Sequence, residues 1–344
     1  MPAVPAPAKV LVSGANGYIA VWVVRTLLDH GYSVRGTVRS ESKNNHLRKV
    51  FKNEVDSGKL ELVVVPDITL PGAFDEAVKG VDAIEHTASP FHFNADDPDE
   101  LIGPAVKGTI GMLESALKFG GSQLKRVAVT SSCASILNPS STGVLNEESW
   151  NEESIAIVKE KGREAPAQEK YRASKSLAEK AAWDFVEKNK SSITWDLVTL
   201  CPPFVFGPNL NEVNSSSELG QSQSLFYEAL LTKRKTPEQL AGVSGGWVDV
   251  RDVALGHVRA LEVPEAGGQR FILSSEMFIW QNWFDAANSL GLPDVPQGTP
   301  GAGKDFKYKF VYDSSRAKNV LGIQFRDIKT TTKDTVEDFK KRGW

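Results

Sequence analysis

Two segments that are far apart in the sequence carry side chains suited to acid–base chemistry on a carbonyl group. An apolar run ends in Thr130-Ser131-Ser132, and Tyr171 precedes Lys175 by four positions. Residues four apart share one face of a helix, so we expect the phenol and the ammonium to lie together. A nearby ammonium favours the phenolate, so we expect Lys175 to lower the pKa of Tyr171 from its usual value of about 10. Such a tyrosine could transfer a proton, while a serine hydroxyl at the same point could hydrogen-bond the carbonyl oxygen and the developing alkoxide.

A glycine-rich turn near the start of the chain is typical of a dinucleotide-binding site. The run Val10-Leu11-Val12 predicts a strand, and Gly14-Ala15-Asn16-Gly17 follows it directly before a helical stretch. Gly14 permits the tight turn, Gly17 lets the backbone approach a pyrophosphate, and Ala20 is small enough for helix–strand packing. The pyrophosphate would lie at the helix N-terminus, where free N–H groups favour anions. A purely structural turn is the alternative, and the position directly after the first strand favours the dinucleotide.

The end of the second predicted strand indicates which dinucleotide binds. NAD-dependent proteins with this turn usually place Asp or Glu about 20 residues further on, where it bonds the ribose 2′-hydroxyl. Here the predicted strand Ser33–Val38 is followed by Arg39, and Lys43 is a second cation nearby. Both suit a 2′-phosphate, so the sequence favours NADP(H) over NAD. A solvated surface arginine is the alternative interpretation of Arg39, and Arg35, inside the strand, is a weaker candidate.

The elements that must position these residues alternate between short β-rich runs and amphipathic stretches. This alternation, with continuously apolar strands, predicts an α/β fold with a doubly wound parallel sheet of the Rossmann type. The predicted strands are Val10–Val12, Ser33–Val38, Leu60–Val65, Ala83–Thr87, Arg126–Thr130 and Trp195–Leu200, and the clearest predicted helices are Ala20–His30, Leu101–Phe119 and Tyr171–Asn189.

The alternation changes after Pro208, which indicates a second lobe. We expect a flexible arm over residues 1–8, a Rossmann dinucleotide-binding domain over 9–208, and a smaller C-terminal substrate lobe built from insertions over 209–344, interleaved with late Rossmann elements at about 247–275. Residues 209–224 are rich in Asn, Ser, Glu and Gln, and therefore suggest a mobile loop. A helix is expected over Leu225–Thr232.

Composition and charge exclude several classes of protein. The 344 residues include 40 Lys and Arg against 43 Asp and Glu, a balance that offers no electrostatic footprint for nucleic acid or an anionic membrane. No apolar run approaches the roughly 18–20 residues of a transmembrane helix. Cys133 and Cys201 are too few for a disulfide framework, and the cysteines and scattered histidines have no metal-site spacing, so no metal is expected. We therefore expect a soluble, cytoplasmic protein.

The motifs together resemble the extended short-chain dehydrogenase/reductase superfamily, in particular the branch of dihydroflavonol reductases and fungal aldehyde, ketone and methylglyoxal reductases. The resemblance covers about residues 8 to 342. It rests on Gly14-x-x-Gly17-x-x-Ala20, Val34-Arg-Gly-Thr-Val-Arg39, Asp67-Ile68, His86-Thr-Ala-Ser-Pro90, Thr130-Ser-Ser132, Tyr171-x-x-x-Lys175, Pro202-x-x-Val-Phe-Gly-Pro208 and Asp249-Val-Arg-Asp-Val-Ala254.

The resemblance implies a role for each matching residue. Ser132 would bind the carbonyl, Tyr171 would donate the proton, and Lys175 would hold the nicotinamide ribose and tune Tyr171. The remaining cofactor-binding residues would be Gly14, Asn16, Gly17, Tyr18 and Ile19 at the turn, Arg39 and Lys43 at the 2′-phosphate, Asp67 and Ile68 at the adenine, Thr87, Ala88 and Ser131 along the channel, and Pro202 and Val205 beside the nicotinamide.

Aromatic residues in segments that converge over the nicotinamide in the resembling proteins suggest a pocket for an organic carbonyl. These residues are Phe91, Phe93, Phe204 and Trp247. The alternative is that they are ordinary core aromatics. Among other candidates, we expect His86 to be packed at a strand end, Glu147-Glu148 to lie at a solvated helix start, and Asp249 with its neighbours to cap a helix.

The sequence therefore predicts NADPH-dependent reduction of an aldehyde or ketone with Ser, Tyr and Lys catalysis. Two alternatives stay open on the same fold: a nucleotide-sugar epimerase or dehydratase, and a non-catalytic NADP-sensing regulator. The absence of a polar or basic cluster suited to a nucleotide diphosphate weakens the first, and the intact catalytic residues argue against the second. The expected partner is a small carbonyl substrate with apolar or aromatic groups, bound by a monomer or homodimer.

Overall fold

The computed structural model describes residues 3–89, 95–232 and 244–344, in which strands and helices alternate as expected. The strands are β1 Lys9–Ser13, β2 Ser33–Val38, β3 Leu60–Val64, β4 Ala83–His86, β5 Arg126–Thr130, β6 Gly143–Leu145, β7 Asp196–Cys201, β8 Phe204–Phe206, β9 Ser244–Asp249, β10 Arg270–Ile272, β11 Glu276–Ile279 and β12 Phe310–Tyr312. The helices are α1 Tyr18–Asp29, α2 Asn44–Val50, α3 Lys52–Asp56, α4 Asp99–Phe119, α5 Glu152–Lys161, α6 Ala167–Asn189, α7 Gln221–Leu230, α8 Val250–Glu262, α9 Trp280–Ser289, α10 Ser315–Val320 and α11 Ile328–Lys341.

The central sheet has the order β10-β7-β5-β4-β1-β2-β3, and each described pair in it is parallel. The order reverses between β1 and β4, so the loops after these two strands diverge to opposite sides. In open α/β sheets a ligand binds in the crevice at such a switch point, outside the carboxyl ends of the strands. The predicted doubly wound α/β fold is confirmed, and it places the glycine turn after β1 at this crevice.

Two apolar cores cover the two faces of the sheet. Along β1, Val10 and Val12 face one core, which contains α1 and α8, while Leu11 faces the other, which contains parts of α4 and α6. A parallel sheet buried on both faces requires apolar residues at successive positions rather than alternating ones. This requirement explains why the strands could be predicted from continuous apolar runs.

The second lobe has its own aromatic core and its own small sheet. Strands β8, β9 and β11 form a three-stranded sheet, with β8 parallel and β11 antiparallel to β9. Since β8 lies before residue 208, this sheet takes a strand from the segment that we predicted as Rossmann domain. Conversely, β10, which follows residue 208, is an edge strand of the central sheet, and α8 packs on α1.

Two segments that we expected to be loose are held by tertiary contacts. In the N-terminal arm, Val4 is buried, its N–H donates to the Leu261 carbonyl at 3.1 Å, and its own carbonyl accepts from the Tyr32 hydroxyl at 2.7 Å. In the 209–224 segment, the Asn209 N–H donates to Asp338 of α11 at 2.9 Å. Local composition indicated mobility in both cases, but it contains no information about the distant partners that anchor them.

Candidate functional site

The glycine turn after β1 is shaped to let another group approach the backbone. Gly14 has φ +65°, and a Cβ at this position would lie 3.1 Å from the Cβ of Ala88. Gly17 is the N-cap of α1 and no side chain caps it, so the positive end of the helix faces the crevice without a capping group. These features fit a pyrophosphate, as the sequence predicted. Asn16 and Ile19 are half-buried beside the turn.

The Tyr18 side chain joins this turn to the segment after β8. Its hydroxyl donates to the Gly207 carbonyl at 2.9 Å, and burial raises the pKa of the phenol well above its ordinary value. The side chain therefore braces the turn from the side of the second lobe. If Tyr18 contacts the cofactor, as predicted, its main chain would therefore make the contact.

Ser13, which the sequence analysis did not single out, fastens the ends of β1 and β4 together. Its hydroxyl oxygen accepts from the N–H groups of Thr87 at 3.1 Å and Ala88 at 3.0 Å, and it lies 3.0 Å from Nδ1 of His86. The switch point therefore has a fixed geometry. His86 is buried, and desolvation together with the charge of Lys175 lowers its pKa to about 4, so the ring is a neutral, packed side chain as predicted.

The cations predicted for the 2′-phosphate lie beyond the end of β2 and differ in their surroundings. Arg39 is exposed, whereas Lys43 lies 3.7 Å from Glu212. Arg35 is already engaged, because it donates to Glu61 at 3.0 Å and to the Ala77 and Lys79 carbonyls. Arg35 is therefore the weaker candidate, as expected from its place inside the strand.

The pair predicted for the adenine follows β3 near the same corner. Asp67 accepts hydrogen bonds from the hydroxyl and N–H of Thr69, which hold its pKa below the usual range, and the charge of Arg39 acts in the same direction. Ile68 lies against α4, where a Cβ on Gly108 would come within 3.0 Å of its Cδ1. Arg39 and Asp67 are thus close enough to interact, which places both at one corner of the crevice.

The structure brings Ser132, Tyr171 and Lys175 together. Ser132 precedes a short 3-10 helix, Cys133–Ser135, and its Oγ accepts from the Ala134 N–H at 3.1 Å. The Ser132 hydroxyl lies 3.5 Å from the Pro202 carbonyl, and a hydrogen bond from this hydroxyl to the Tyr171 phenol lowers the pKa of the phenol. On α6, the Lys175 ammonium lies 6.0 Å from the centre of the Tyr171 ring and donates to the Ser89 hydroxyl at 3.0 Å.

The expectation that Lys175 lowers the pKa of Tyr171 is wrong in this structure. Burial raises the pKa of Tyr171 to about 12, and the hydrogen bond from Ser132 offsets only part of this effect. Burial also lowers the pKa of Lys175 to about 8, and its ammonium is directed to Ser89. The cost of desolvating a phenolate therefore exceeds the benefit of the Ser132 hydrogen bond, and Lys175 is not among the groups that lower the pKa of Tyr171. A phenol with this pKa carries its proton at neutral pH and can act as an acid.

The other predicted cofactor residues near the catalytic group have defined positions. The Ser131 hydroxyl is buried and donates to Glu179 at 2.6 Å, which occupies its hydrogen-bonding proton. The Pro202 carbonyl accepts from the Cys133 N–H at 3.0 Å, which ties the segment after β7 to the serine turn. Val205 is buried in β8.

The four aromatic residues predicted for the substrate pocket do not share one environment. Phe91 and Phe93 lie outside the described residues. Phe204 is half-buried and stacks on Phe206 with ring centres 6.1 Å apart. Trp247 has no exposed surface and packs edge-on against Trp283 at 4.8 Å. Its interpretation as a core aromatic therefore fits this structure better than a place in the pocket wall.

Several other sequence candidates have structural roles. Asp249 caps α8 by accepting from the Arg251 N–H at 2.9 Å, as predicted. Glu147, by contrast, is not at a solvated helix start: it is buried and accepts from the Ile272 N–H at 3.1 Å, because β10 packs over it. Within the described ranges, no group of His, Cys, Asp or Glu could hold a metal ion. In the same part of the chain, no helix combines the length and the apolar character that a bilayer crossing requires.

Comparison with known proteins gives consistent results. Residues 10–273 match the model of the NAD dependent epimerase/dehydratase family. The chain is 36% identical over 349 residues to the NADPH-dependent methylglyoxal reductase of Saccharomyces cerevisiae, covering 97% of this chain and 98% of that one. It is 38% identical over 340 residues to a ketoreductase of Aspergillus niger, covering 95% and 96%. The structure of Gre2 from Candida albicans with NADPH is 35% identical and superposes with a TM-score of 0.86 over 98% of this chain and 100% of that one.

Proposed function

The chain belongs to the NAD dependent epimerase/dehydratase family, and we propose that it is an NADPH-dependent reductase of aldehyde or ketone carbonyls. The observation that carries this proposal is the hydrogen bond between the Ser132 hydroxyl and the Tyr171 phenol, beside the Lys175 ammonium. Two hydrogen-bonding hydroxyls at one point, one of them a protonated phenol, suit the reduction of a carbonyl. The names of the relatives, a methylglyoxal reductase and a ketoreductase, support the same reaction.

The residues around the crevice fit NADP(H). Gly14 has no Cβ, and one there would lie only 3.1 Å from the Cβ of Ala88, while the N-terminus of α1 begins at Gly17 without a capping side chain. In our proposal the pyrophosphate lies at this turn and Arg39 contacts the 2′-phosphate, with Lys43 as a second cation. The main chain at Thr87, Ala88 and Val205 would then line the channel. Bound NADPH supplies the hydride for the reaction.

The chain's own residues supply the proton and hold the substrate. The Ser132 hydroxyl donates a hydrogen bond to the carbonyl oxygen, which polarises the C=O bond. As a C–H bond forms at the carbonyl carbon, the C=O π electrons move to oxygen, and Tyr171 transfers its phenolic proton there to give the alcohol. The Lys175 ammonium, which lies beside the Tyr171 ring, passes a replacement proton from solvent to the resulting phenolate.

The surroundings of the site favour this function over the alternatives. An epimerase of nucleotide sugars needs polar and basic groups for a nucleotide diphosphate, whereas the described part of the second lobe has an aromatic core around Phe206 and Trp283. An NADP sensor would have no use for the Ser132–Tyr171 pair. We propose a carbonyl substrate with an apolar group, which Phe204 would contact. A cytoplasmic location and a monomeric or homodimeric state stay predictions.

A substrate panel tests the proposed function. Purified protein would be mixed with NADPH or NADH and with aldehydes, diketones, aryl ketones and flavonoid ketones. The loss of absorbance of the reduced cofactor would be followed in each reaction. We expect turnover with NADPH for several carbonyls and clearly weaker turnover with NADH. NADPH binding without turnover of any carbonyl, combined with conversion of a nucleotide sugar, would contradict the proposal.

A further inference from the structure

A buried carboxylate lies on the same helix face as the two predicted catalytic side chains of α6. Tyr171, Lys175 and Glu179 follow one another at intervals of four residues, so they lie in a row along the helix. Glu179 is only 2% exposed. A charge at such a position is costly unless paired and hydrogen-bonded, so its partners indicate what it does.

The Glu179 carboxylate accepts hydrogen bonds from three elements at once. Its Oε2 accepts from the hydroxyls of Ser131 and Ser135, both at 2.6 Å, and its Oε1 accepts from the Thr199 hydroxyl at 2.8 Å on β7. Arg270 of β10 compensates the charge by donating from Nε at 2.7 Å. Burial alone would raise the pKa of Glu179, but Arg270 and the two serine hydroxyls hold it below its usual range.

Arg270 is itself fixed in place. Its guanidinium stacks on the Trp150 ring at 3.6 Å and donates to the carbonyls of Glu147 and Ser149. The carboxylate therefore has a rigid partner, and its position relative to α6 and β10 is determined. Because Arg270 is fixed, the Glu179 carboxylate can hold the elements that it contacts at fixed positions relative to one another.

Two hydroxyls link the Glu179 carboxylate to the turn that carries Ser132: that of Ser131, directly before Ser132, and that of Ser135. The N–H of Ser135 donates to the Ser132 carbonyl at 2.9 Å, and its Oγ lies 2.7 Å from the same oxygen. In the same turn, the Ala134 N–H orients the Ser132 hydroxyl. Holding Ser135 therefore holds the turn that directs Ser132 towards Tyr171.

We propose that Glu179 is a positioning residue that, through Ser135, keeps the Ser132 hydroxyl in hydrogen-bonding distance of the Tyr171 phenol. Glu179 and Tyr171 belong to one helix. A carboxylate that holds the turn of Ser132 therefore also fixes the position of this turn relative to the helix that carries the phenol. The inference deepens the proposed function and rests on it for its catalytic meaning. The juxtaposition itself can be tested without turnover.

Two hydroxyl donors to the same carboxylate make a matched pair of variants. Ser135→Ala removes one of the two hydroxyls that link Glu179 to the serine turn and leaves that of Ser131, while Thr199→Val removes a donor from β7 that does not touch the turn. Both leave the Glu179–Arg270 pair intact, whereas Glu179→Ala would leave the guanidinium buried without its partner and report on folding instead. We expect Ser135→Ala to lower kcat by about 10-fold, equivalent to about 1.4 kcal/mol, with little change in NADPH affinity. Thr199→Val should stay within about twofold of the parent protein.

A second readout does not depend on activity. In protein labelled with carbon-13 at the tyrosine ring carbon that bears the hydroxyl, the Tyr171 signal would be assigned by its loss in Tyr171→Phe. We expect Ser135→Ala to shift this signal and Thr199→Val to leave it in place. If the two variants behave alike in this spectrum, the inference is wrong. If the spectra differ as expected but the parent protein reduces no carbonyl, the positioning role stands and the proposed function fails.

Discussion

Burial at the candidate site acts in opposite directions on the phenol and the ammonium. It raises the pKa of Tyr171 to about 12 and lowers that of Lys175 to about 8, because in each case the charged form loses hydration. The phenol is thereby kept protonated, as a proton donor must be. The charged form of Lys175 is destabilised, so this side chain lowers the stability of the cofactor-free protein.

Lys175→Met should therefore stabilise the cofactor-free protein at pH 7. The pKa of Lys175 in the folded protein is about 8, below its ordinary value of 10.5. Between pH 8 and pH 10.5 the unfolded chain therefore binds more protons than the folded protein, and the free energy of unfolding rises with pH. Below pH 8 the full cost of the buried ammonium is present. Since solvent reaches part of this half-buried side chain, we expect a gain of roughly 1–3 kcal/mol at pH 7 that shrinks towards pH 10.

Urea unfolding at pH 7 and pH 10 measures this gain. Lys49→Met, at an exposed position of α2, is the control and should change the stability little at either pH. A Lys175→Met protein that is less stable than the parent at pH 7 would show that the ammonium is not a burden on the fold.

At the residue scale, spacing was enough to predict which groups meet but not their protonation. The Tyr171–Lys175 interval and the serines at the end of β5 required only helix geometry and a parallel sheet. The pKa of Tyr171 depends on the atoms packed around it, which no local pattern contains. Ser13 and Glu179 were missed for the same reason, although the interval from Lys175 to Glu179 was a usable signal.

At the element scale, the site is an arrangement of strand ends. The carboxyl ends of β1, β2, β4 and β5 present the glycine turn, Arg39, the Thr87-Ala88 segment and the serine proposed to bind the carbonyl. Strands β2 and β5 have the bounds predicted from the sequence. Strands β8, β9 and β11 were less accessible to prediction, since they are short and depend on partners far apart in the chain.

The end of β2 yields a prediction about cofactor choice. Arg39→Ala should lower the preference for NADPH over NADH by at least about 10-fold, because a hydrogen bond to a charged group contributes roughly 1.5–3 kcal/mol. The ratio of the two kcat/KM values measures this preference. Arg48→Ala, which removes an exposed arginine 3.4 Å from Glu41, is the matched control and should leave the ratio unchanged. An unchanged ratio in Arg39→Ala would show that Arg39 is a solvated side chain that does not contact the 2′-phosphate.

The turn after β1 yields a second prediction at this scale. Gly14→Ala should weaken NADPH binding at least about 10-fold, because a Cβ there would lie only 3.1 Å from Ala88 and intrude on the space for the pyrophosphate. Gly58→Ala has a similar backbone strain, with φ +73°, but nothing within 4 Å of its Cβ. Both variants should lose roughly 1–2 kcal/mol of stability from the left-handed conformation. Equal NADPH affinities in fluorescence titrations of the two variants would contradict the assignment of the turn.

At the scale of the whole molecule, the C-terminal helix α11 contacts the start of the segment that follows Pro208. Asp338 accepts from the N–H of Asn209 at 2.9 Å and from its side-chain amide at 3.0 Å, and Arg342 donates to the Asn209 carbonyl at 2.8 Å. The end of the chain thus fixes the segment that follows Pro208. Composition predicted a mobile loop there, because the residues of this segment do not show that a helix more than a hundred residues away anchors it.

Asp338→Ala should release this segment without disturbing the dinucleotide site. We expect faster proteolytic cleavage within residues 209–219 and a several-fold higher KM for a bulky carbonyl, with little change in NADPH affinity. Glu337→Ala is the neighbouring control, since its carboxylate is half-exposed and lies 4.0 Å from Lys333. Limited proteolysis followed by mass spectrometry locates the cleavage. Identical cleavage rates in the two variants would show that α11 does not control the segment.

The central claim is that the Tyr171 phenol is the proton donor in carbonyl reduction, and a single-turnover experiment with Tyr171→Phe tests it most directly. The variant keeps the ring and loses only the hydroxyl. Protein saturated with NADPH would be mixed with a carbonyl that the parent protein reduces, and the loss of NADPH absorbance would be followed in both proteins. We predict a rate at least about 100-fold below that of the parent, with NADPH affinity nearly unchanged. A rate close to that of the parent would contradict the mechanism and, with it, the role assigned to Ser132.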